Sequence, residues 1–274
     1  MHRSELPIGV FDSGIGGLTV LREIRRVLPH EDLVYLGDTA RVPYGTKSPA
    51  TVIRFACEDT QFLVDQQVKA VVVACNTASA WALSTLERRF ALPVFGVILP
   101  GVRRALAATR SRHIGVIATP ATIRSQAYTR ALLSRDDALD LVVRDCPLLV
   151  PLVEEGWTDG PVTRAVLEEY LGPLLDRGID TLVLGCTHYP LLKTAIRAVV
   201  GPEVTLVDSA ESCAEYVAER LRQSGMLCVD RHRPGRIQPH VTDDTRWFDE
   251  QAEKFLGEKP DPAGQVVLPI IELR

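Results

Sequence analysis

Strand and helix patterns recur twice along the chain, and this internal repeat restricts the fold more than any other feature. Eight short runs rich in Val, Ile and Leu are separated by amphipathic stretches of helical period. Four runs lie in the first half, at 8–11, 33–36, 71–74 and 94–98, and four in the second, at 114–118, 141–143, 182–185 and 204–207. The two sets overlay at a nearly constant offset, which pairs Ile8 with Ile114 and Cys75 with Cys186.

The alternation predicts an α/β protein with two pseudo-symmetric, doubly wound domains whose sheets are mostly parallel. Two such domains facing each other would bury an active site between them, at the carboxyl ends of their strands. We expect Pro100 and Gly101 to mark the crossing into the second half. Residues 1–98 together with 210–274 are assigned to an N-terminal domain carrying Cys75, and residues 99–209 to a second domain carrying Cys186. The alternative for residues 210–274, the tail of the chain, is a small separate lobe.

Composition and charge argue against several kinds of partner. The formal net charge of -4 argues against nucleic acid, and the best local basic candidate, RHRPGR at 231–236, is interpreted as a solvated loop. The first residues lack the apolar run of a signal peptide, and the longest apolar stretches are too short to span a bilayer, so we expect a cytoplasmic protein without a membrane partner. The six cysteines form no CxxC pair and no zinc-type spacing with histidine, so free thiols and no bound metal are expected.

Two cysteines occupy equivalent positions of the repeat. Cys75 in VVVACNTASA and Cys186 in LVLGCTHYPLL each follow a predicted strand and precede a helix, where backbone amides and the helix dipole lower a thiol's pKa. A small apolar residue at a buried strand end is the alternative for either one alone. Inverting a carbon centre requires removal of a proton from one face and delivery to the other, and two thiols across a pocket could do both.

Acidic and imidazole groups accompany the thiols at the expected pocket. Asp12 and Ser13 end the first strand in FDSGIGG, and His188 follows Cys186 by two residues. A carboxylate or imidazole beside a thiol can accept its proton and tune its pKa. A helix N-cap is the alternative for Asp12, and a capping or core histidine is the alternative for His188.

The glycines of FDSGIGG do not form a dinucleotide-binding motif. Gly14, Gly16 and Gly17 lack the required spacing, because Thr19 occupies the last glycine position. They predict either close approach of the backbone to a small anionic ligand at a helix N-terminus or a tight turn.

Three further segments contribute candidate ligand contacts. The loop GDTARVPYG, which ends at Gly45, could bind a carboxylate through its amides, or it could be a plain connection. Thr119 and Thr122 could supply hydroxyls to a ligand, with helix N-caps as the alternative. Glu154 could lie over the pocket, although a lone Glu is usually solvated.

Together these motifs resemble those of glutamate racemases, within the wider aspartate/glutamate racemase superfamily. FDSGIGG, YLGDTARVPYG, ACNTAS, PLVEEG and GCTHYPLL occur in the family's order, and the match runs from about Ile8 to Cys213. The resemblance implies interconversion of L- and D-glutamate by two thiols, without metal or pyridoxal cofactor, to supply D-glutamate for peptidoglycan. Glutamate is therefore the expected small-molecule partner, and we expect a homodimer.

The resemblance also implies roles for individual residues. Cys75 would act on one enantiomer, D-glutamate, and Cys186 on the other. Asp12 and His188 match auxiliary groups of those thiols, whereas Asp38 and Glu154 match further acids. The positions that match substrate contacts are Asp12, Ser13, Tyr44, Gly45, Asn76, Thr77, Thr187 and His188. Of these, Asn76, Thr77 and Thr187 are expected to stabilise the carbanion through hydrogen bonds around the α-carboxylate.

The sequence departs from the family at Leu99, where many members carry Glu, and this affects regulation or an interface rather than the chemistry. Three alternative functions remain open. An aspartate racemase would use the same thiols, a non-catalytic two-lobed binding protein would need only the pocket, and a single-thiol hydrolase would make Cys186 dispensable.

Overall fold

Two parallel sheets form the framework of the protein in a computed structural model that describes residues 3–230 and 232–271. Their strands are β1 (Ile8–Asp12), β2 (Leu33–Gly37), β3 (Ala70–Val73), β4 (Val94–Gly96), β5 (His113–Ala118), β6 (Asp140–Asp145), β7 (Thr181–Gly185), β8 (Thr205–Asp208), β9 (Ile237–Val241) and β10 (Gly264–Gln265). The first sheet has the order β10-β9-β2-β1-β3-β4 and the second β6-β5-β7-β8. Every strand pair is parallel.

The two sheets share one winding order. The segment β2-β1-β3-β4 of the first sheet corresponds strand for strand to β6-β5-β7-β8 of the second. The central strands are buried along their whole length, which explains why they are continuous apolar runs rather than alternating ones. The predicted α/β class with two pseudo-symmetric parallel sheets is therefore confirmed.

Helices cover both sheets and connect successive strands. They are α1 (Leu18–Val27), α2 (Pro49–Asp65), α3 (Asn76–Arg89), α4 (Ile98–Ala108), α5 (Pro120–Arg124), α6 (Ala127–Leu133), α7 (Leu149–Glu154), α8 (Pro161–Leu175), α9 (Lys193–Val200), α10 (Ser209–Gln223) and α11 (Thr245–Leu256). Short 3-10 turns lie at Arg3–Glu5, Thr39–Arg41, Tyr44–Thr46 and Tyr189–Leu192. Side-chain caps begin several helices: Ser48 caps α2, Asp208 caps α10 and Asp244 caps α11.

Pro100 and Gly101, predicted to mark the crossing into the second half, lie in the segment that joins β4 of the first sheet to β5 of the second, but this segment is helical rather than a turn. Both residues lie in the first turns of α4, which starts directly after β4. Proline is tolerated there because amides of the first helical turn have no intrahelical acceptor to lose. The strand predicted at 94–98 accordingly ends at Gly96.

One hydrophobic cluster runs through both halves of the molecule. It extends from β1 and α1 through α10 and α4 to β5 and β7. A second cluster fills the space between the first sheet and helices α2 and α3. The two sheets are thus joined by shared apolar packing and not only by the chain.

The tail after α10 lies against the first sheet. Strand β9 pairs with β2, and Phe248 of α11 stacks on Tyr35 of β2 with ring centroids 6.0 Å apart. Of the basic run at 231–236, Arg231 lies outside the described residues, and Arg233 forms a bidentate pair with Asp32 at 2.7 and 2.8 Å. Residues 232–236 thus form a loop with exposed residues, as the sequence predicted, and Arg233 ties this loop to the start of β2. Within 3–230 and 232–271, no helix is both long and apolar enough to cross a membrane.

Candidate active site

A cavity of about 300 Å³ lies where the carboxyl ends of the two sheets meet. Residues that follow equivalent strands of the repeat line this cavity. Ser13 follows β1 and Thr119 follows its equivalent β5, and in the same way Cys75 follows β3 and Cys186 follows β7. The predicted site residues that line it are Ser13, Tyr44, Gly45, Cys75, Asn76, Thr77, Thr119, Glu154, Cys186, Thr187 and His188. Asp12, Asp38 and Thr122 lie behind this lining.

Cys75 occupies the N-cap position of α3. Its Sγ accepts a hydrogen bond from the amide of Ala78 at 3.5 Å, and its thiol donates to Ser13 Oγ at 3.6 Å. The side chain is 6% exposed although it lines the cavity. A ligand in the cavity would therefore meet a thiol that is fixed by two contacts and shielded from bulk water.

The prediction of a lowered pKa does not hold for Cys75. Burial and the nearby charge of Asp12 raise the pKa of this thiol to about 12, and the hydrogen bonds from Ala78 and with Ser13 only partly oppose them. Desolvation outweighs the helix N-terminus because the thiolate would lose its water shell in an apolar cavity. The thiol is consequently the dominant form at neutral pH.

Asp12 is fully buried at the end of β1. Its Oδ2 accepts from the amide of Gly14 at 3.0 Å, whereas α1 is preceded by Gly17 at its N-cap, so Asp12 is not the helix cap. Its Oδ1 has no hydrogen-bond partner among the described residues. Burial raises the pKa of Asp12, opposed by the positive charge of His188 and by backbone amides. This carboxyl is thus held just behind the cavity wall, close enough to influence Cys75.

Cys186 has a different set of partners. The Nδ1 of His188 lies 3.9 Å from Cys186 Sγ, and its Nε2 lies 3.0 Å from Glu154 Oε1. Burial alone lowers the pKa of His188, but the hydrogen bonds to Cys186 and Glu154 outweigh it and raise the pKa to about 10. His188 therefore carries a positive charge at neutral pH, and Glu154 is its counter-ion rather than a solvated surface residue.

Three threonine hydroxyls meet at one edge of the cavity. Thr77, Thr119 and Thr122 are mutually hydrogen-bonded, with Oγ1–Oγ1 distances of 3.0 to 3.1 Å. Thr119 is the N-cap residue of α5, but its hydroxyl makes no capping bond. Thr119 therefore holds the N-cap position predicted as the alternative without capping through its hydroxyl, and Thr122 lies inside the helix. Thr77 and Thr119 face the cavity, and Thr122 supports them from behind.

Asp38, one of the further acids implied by the resemblance, does not line the cavity. Its carboxylate accepts from Arg41 Nε at 2.6 Å, from the hydroxyl of Tyr44 and from Thr242 Oγ1 at 3.0 Å. Arg41 and Tyr44 also contact Asp59, and Arg41 contacts Glu58. Asp38 is therefore a positioning residue for the loop that carries Tyr44 and Gly45. The sequence pattern could not show this, because the partner acids lie in α2 and Thr242 follows β9.

The glycines of FDSGIGG have separate explanations. Gly14 lines the cavity, where its lack of a side chain leaves the backbone open to a ligand. Gly16 instead packs against the second half, since a Cβ there would lie 2.4 Å from Thr187 Oγ1 and 2.5 Å from the ring of His188. Gly17 packs against Asp12, because a Cβ at position 17 would lie 2.4 Å from the Cβ of that residue. Close packing, more than ligand contact, accounts for two of the three.

Several supporting residues carry no sequence signal. The hydroxyl of Tyr35 donates to the carbonyl of Gly14 at 2.7 Å, and Thr19 Oγ1 donates to the carbonyl of Thr187 at 2.9 Å. Phe255 of α11 packs edge-on against His188, with centroids 5.6 Å apart. Tyr35 and Phe255 resemble ordinary core residues in the sequence, and only their long-range contacts distinguish them.

The cavity brings two thiols and several hydrogen-bonding groups together around one small space. Two thiols from equivalent strands line one cavity, each with its own polar neighbours. Within the described parts of the chain, no group of three or more His, Cys, Asp or Glu side chains is arranged to hold a metal ion. Hydroxyls and amides of the lining offer hydrogen bonds to a carboxylate.

Comparison with known proteins gives concordant matches over almost the whole chain. The profile of the Asp/Glu/Hydantoin racemase family matches residues 8–217. A glutamate racemase of Geobacter metallireducens is 53% identical over 261 residues, which cover 95% of this chain and 96% of that protein. The structure of a glutamate racemase isoform from Bacillus anthracis has a TM-score of 0.93 at 40% identity and covers 98% of this chain and 100% of that one. For the Francisella tularensis glutamate racemase in complex with D-glutamate, the TM-score is 0.89 at 39% identity, with 96% and 98% covered.

Proposed function

The chain belongs to the Asp/Glu/Hydantoin racemase family and is an amino-acid racemase, and we propose that it interconverts L- and D-glutamate by a two-thiol mechanism. The observation that carries the proposal is the pair Cys75 and Cys186, which line one cavity from equivalent strands of the two sheets. The two thiols can perform both proton transfers, so the proposal requires no cofactor.

In the proposed reaction, one cysteine as thiolate removes the α-proton of glutamate, forming an S–H bond as the C–H bond breaks. The other cysteine, as thiol, delivers its own proton to the opposite face of the carbanion. Following the family resemblance, we assign removal from D-glutamate to Cys75 and removal from L-glutamate to Cys186. Each turnover exchanges the protonation states of the two sulfurs, so the reverse reaction restores the starting form.

The neighbours of each thiol support these roles in different ways. A cationic His188 beside Cys186 attracts the negative charge of a thiolate, and Glu154 keeps that imidazole protonated. Asp12 is buried near Cys75 with one oxygen unpartnered among the described residues, and it is the group we assign to accept the Cys75 proton.

The carbanion is the most difficult species to stabilise. We propose that hydrogen bonds to the α-carboxylate from Asn76, Thr77 and Thr187 spread its charge, because preorganised donors in a dry cavity are worth more than the same donors in water. Thr119 and the amides near Gly45 then remain for the distal carboxylate. Contacts to that second carboxylate would distinguish glutamate from aspartate, which is one methylene shorter.

We further propose that the D-glutamate serves peptidoglycan synthesis, that the enzyme acts in the cytoplasm, and that it is a homodimer. These proposals rest on the resemblance to glutamate racemases over the motifs described above. Growth of a strain that lacks its own glutamate racemase, with and without added D-glutamate, tests the first of them.

Racemisation in deuterated water tests the mechanism directly. Purified protein without added cofactor should reduce the optical rotation of L-glutamate and of D-glutamate and should place solvent deuterium at the α-carbon. Cys75→Ser and Cys186→Ser should each lose full turnover, because a serine hydroxyl is a far weaker acid than a thiol and is not ionised to the alkoxide that would have to act as the base. Circular dichroism follows rotation, and mass spectrometry follows deuterium.

Cys228→Ser is the matched control, because Cys228 lies outside the cavity and should leave racemisation unchanged. Near-normal racemisation by either cavity variant would contradict the two-thiol mechanism. Glutamate binding without any α-proton exchange would favour a binding protein, and faster turnover of aspartate than of glutamate would reassign the substrate.

A further inference from the structure

The side-chain amide of Asn76 is held by two residues of the second half. Its Oδ1 lies 2.7 Å from the hydroxyl of Tyr128 in α6, and its Nδ2 lies 3.4 Å from Ser209 Oγ at the start of α10. All three side chains are buried, and Asn76 also lines the cavity directly after Cys75. An amide in the first half is thus clamped from across the molecule.

The direction of these hydrogen bonds follows from the partner of Ser209. Ser209 Oγ lies 3.1 Å from the carbonyl oxygen of Leu184, which can only accept, so the serine hydrogen is used there. The Asn76 atom that faces Ser209 must therefore donate, which identifies it as the NH2 group. The amide oxygen then faces Tyr128, whose hydroxyl is the donor because burial raises its pKa and keeps it protonated.

This arrangement leaves one N–H of Asn76 for a ligand. An NH2 group has two hydrogens, and Ser209 accepts one of them. The reversed amide would instead present its oxygen to Ser209, leaving two acceptors face to face. Asn76 lines the cavity, which is expected to hold a carboxylate. An N–H of the amide would attract that carboxylate, whereas the amide oxygen of the reversed orientation would repel it.

We propose that Ser209 and Tyr128 are positioning residues that fix the Asn76 amide with an N–H directed to the substrate carboxylate. The inference rests on the proposed function for its consequence in catalysis, but the orientation itself can be measured without turnover. This contact couples the two halves, because the Asn76 amide belongs to the first half, whereas Ser209 and Tyr128, which orient it, belong to the second.

The composition of the chain provides a direct probe, because Asn76 is its sole asparagine. Protein labelled with ¹⁵N-asparagine should show a single side-chain NH2 group by NMR. We expect slow exchange of one of its hydrogens with solvent in the wild type. Ser209→Ala should shift this signal and speed exchange, and Tyr128→Phe should alter it as well.

Ser212→Ala is the matched control, since Ser212 is a buried serine of the same helix whose hydroxyl donates to the carbonyl of Asp208 at 2.8 Å. It should leave the Asn76 signal and its exchange unchanged. An Asn76 signal that is the same in wild type and Ser209→Ala overturns the inference, whatever the protein catalyses.

A double-mutant cycle tests the catalytic consequence. Ser209→Ala should lower kcat/KM for glutamate by up to roughly tenfold, the effect of losing one hydrogen bond between neutral groups. In an Asn76→Ala background the same change should have no further effect, because the residue it orients is already gone. Equal losses in both backgrounds would show that Ser209 acts elsewhere. If the wild type fails to racemise glutamate, the proposed function fails while the NMR result still decides the inference.

Discussion

The surrounding structure raises the pKa of His188, and this change bears directly on the proposed reaction. Burial by itself lowers its pKa, but Cys186 and Glu154 raise it to about 10, above the ordinary value of 6.5. Protonated His188 thus contributes stability that is fully present below pH 6.5 and is lost as the pH rises through about 10. Glu154 supplies one of the two hydrogen bonds responsible.

Removing that carboxylate should lower the pKa of His188. In Glu154→Gln we expect the imidazole to titrate at a clearly lower pH than in the wild type, because the neutral amide no longer favours the charged ring. NMR of ¹⁵N-labelled histidine across pH 5 to 10.5 follows this titration. His113 lies away from the cavity, so its signal should be the same in both proteins. Unchanged titration of His188 would show that Glu154 does not determine its charge.

Single residues differed in how far the sequence could identify them. Cys75 and Cys186 were predictable because each follows a recognisable strand at an equivalent position of the repeat. Asp38 also follows a strand, yet it faces Arg41 and Tyr44 instead of the cavity. The direction of a side chain at a strand end depends on partners from other elements, and those partners are not encoded nearby.

At the scale of elements, the loop between β1 and α1 joins the two halves. Gly16 lies against Thr187 and His188, and Thr19 donates to the carbonyl of Thr187. The start of α1 therefore packs directly on the segment that carries the second thiol. The position of Cys186 relative to the first sheet depends on this contact.

A methyl group at position 16 should push the start of α1 away from the segment that carries Cys186. Gly16→Ala places a Cβ 2.4 Å from Thr187 Oγ1, so we expect a loss of about 1–3 kcal/mol in the free energy of unfolding and a lower kcat/KM. Urea denaturation and the racemisation assay measure the two effects.

Gly101→Ala is the control within a helix, since its Cβ would meet Tyr128 only at 3.6 Å, an ordinary contact. It should be neutral or stabilise by up to about 1 kcal/mol, because glycine weakens a helix interior. Equal stability of Gly16→Ala and the wild type would mean that the loop adjusts freely.

Most elements were predictable because their burial imposes a simple pattern. Strands covered on both faces appear as short apolar runs, and all eight predicted runs correspond to strands with boundaries shifted by a few residues. The start of α4 was missed because Pro100 and Gly101 resemble a turn locally. Their helical conformation depends on packing against the shared core.

At the scale of the whole molecule, the continuous core predicts cooperative unfolding. The main hydrophobic cluster includes residues of both sheets together with α1, α4 and α10, so neither sheet can lose its packing alone. We expect calorimetry to show one transition with equal calorimetric and van't Hoff enthalpies.

Glutamate should raise the temperature of this single transition without splitting it, because residues of both halves line its proposed site. At roughly 100 times its Kd, a ligand that binds only the folded protein adds about 2.7 kcal/mol to the free energy of unfolding. Two transitions, only one of which responds to glutamate, would contradict a shared core.

The return of the tail was suggested by the sequence, but its contribution to the site was not. Strand β9 extends the first sheet, Thr242 contacts Asp38, and Phe255 packs on His188. These contacts join residues about 65 to 205 positions apart, a separation over which periodicity carries no information. Only the folded chain places them beside the cavity.

The two thiols sit at matching places of a repeat but have unlike neighbours, a hydroxyl and a carboxyl for one and an imidazolium for the other. Mirror-image substrates have equal free energies in water, so the equilibrium mixture is racemic whatever the enzyme is like. Thermodynamics then requires kcat/KM to be the same for both enantiomers. Because the two thiols have different neighbours, kcat and KM can each still differ between the enantiomers. Any directional preference of this catalyst must accordingly appear as a proportional change in both constants.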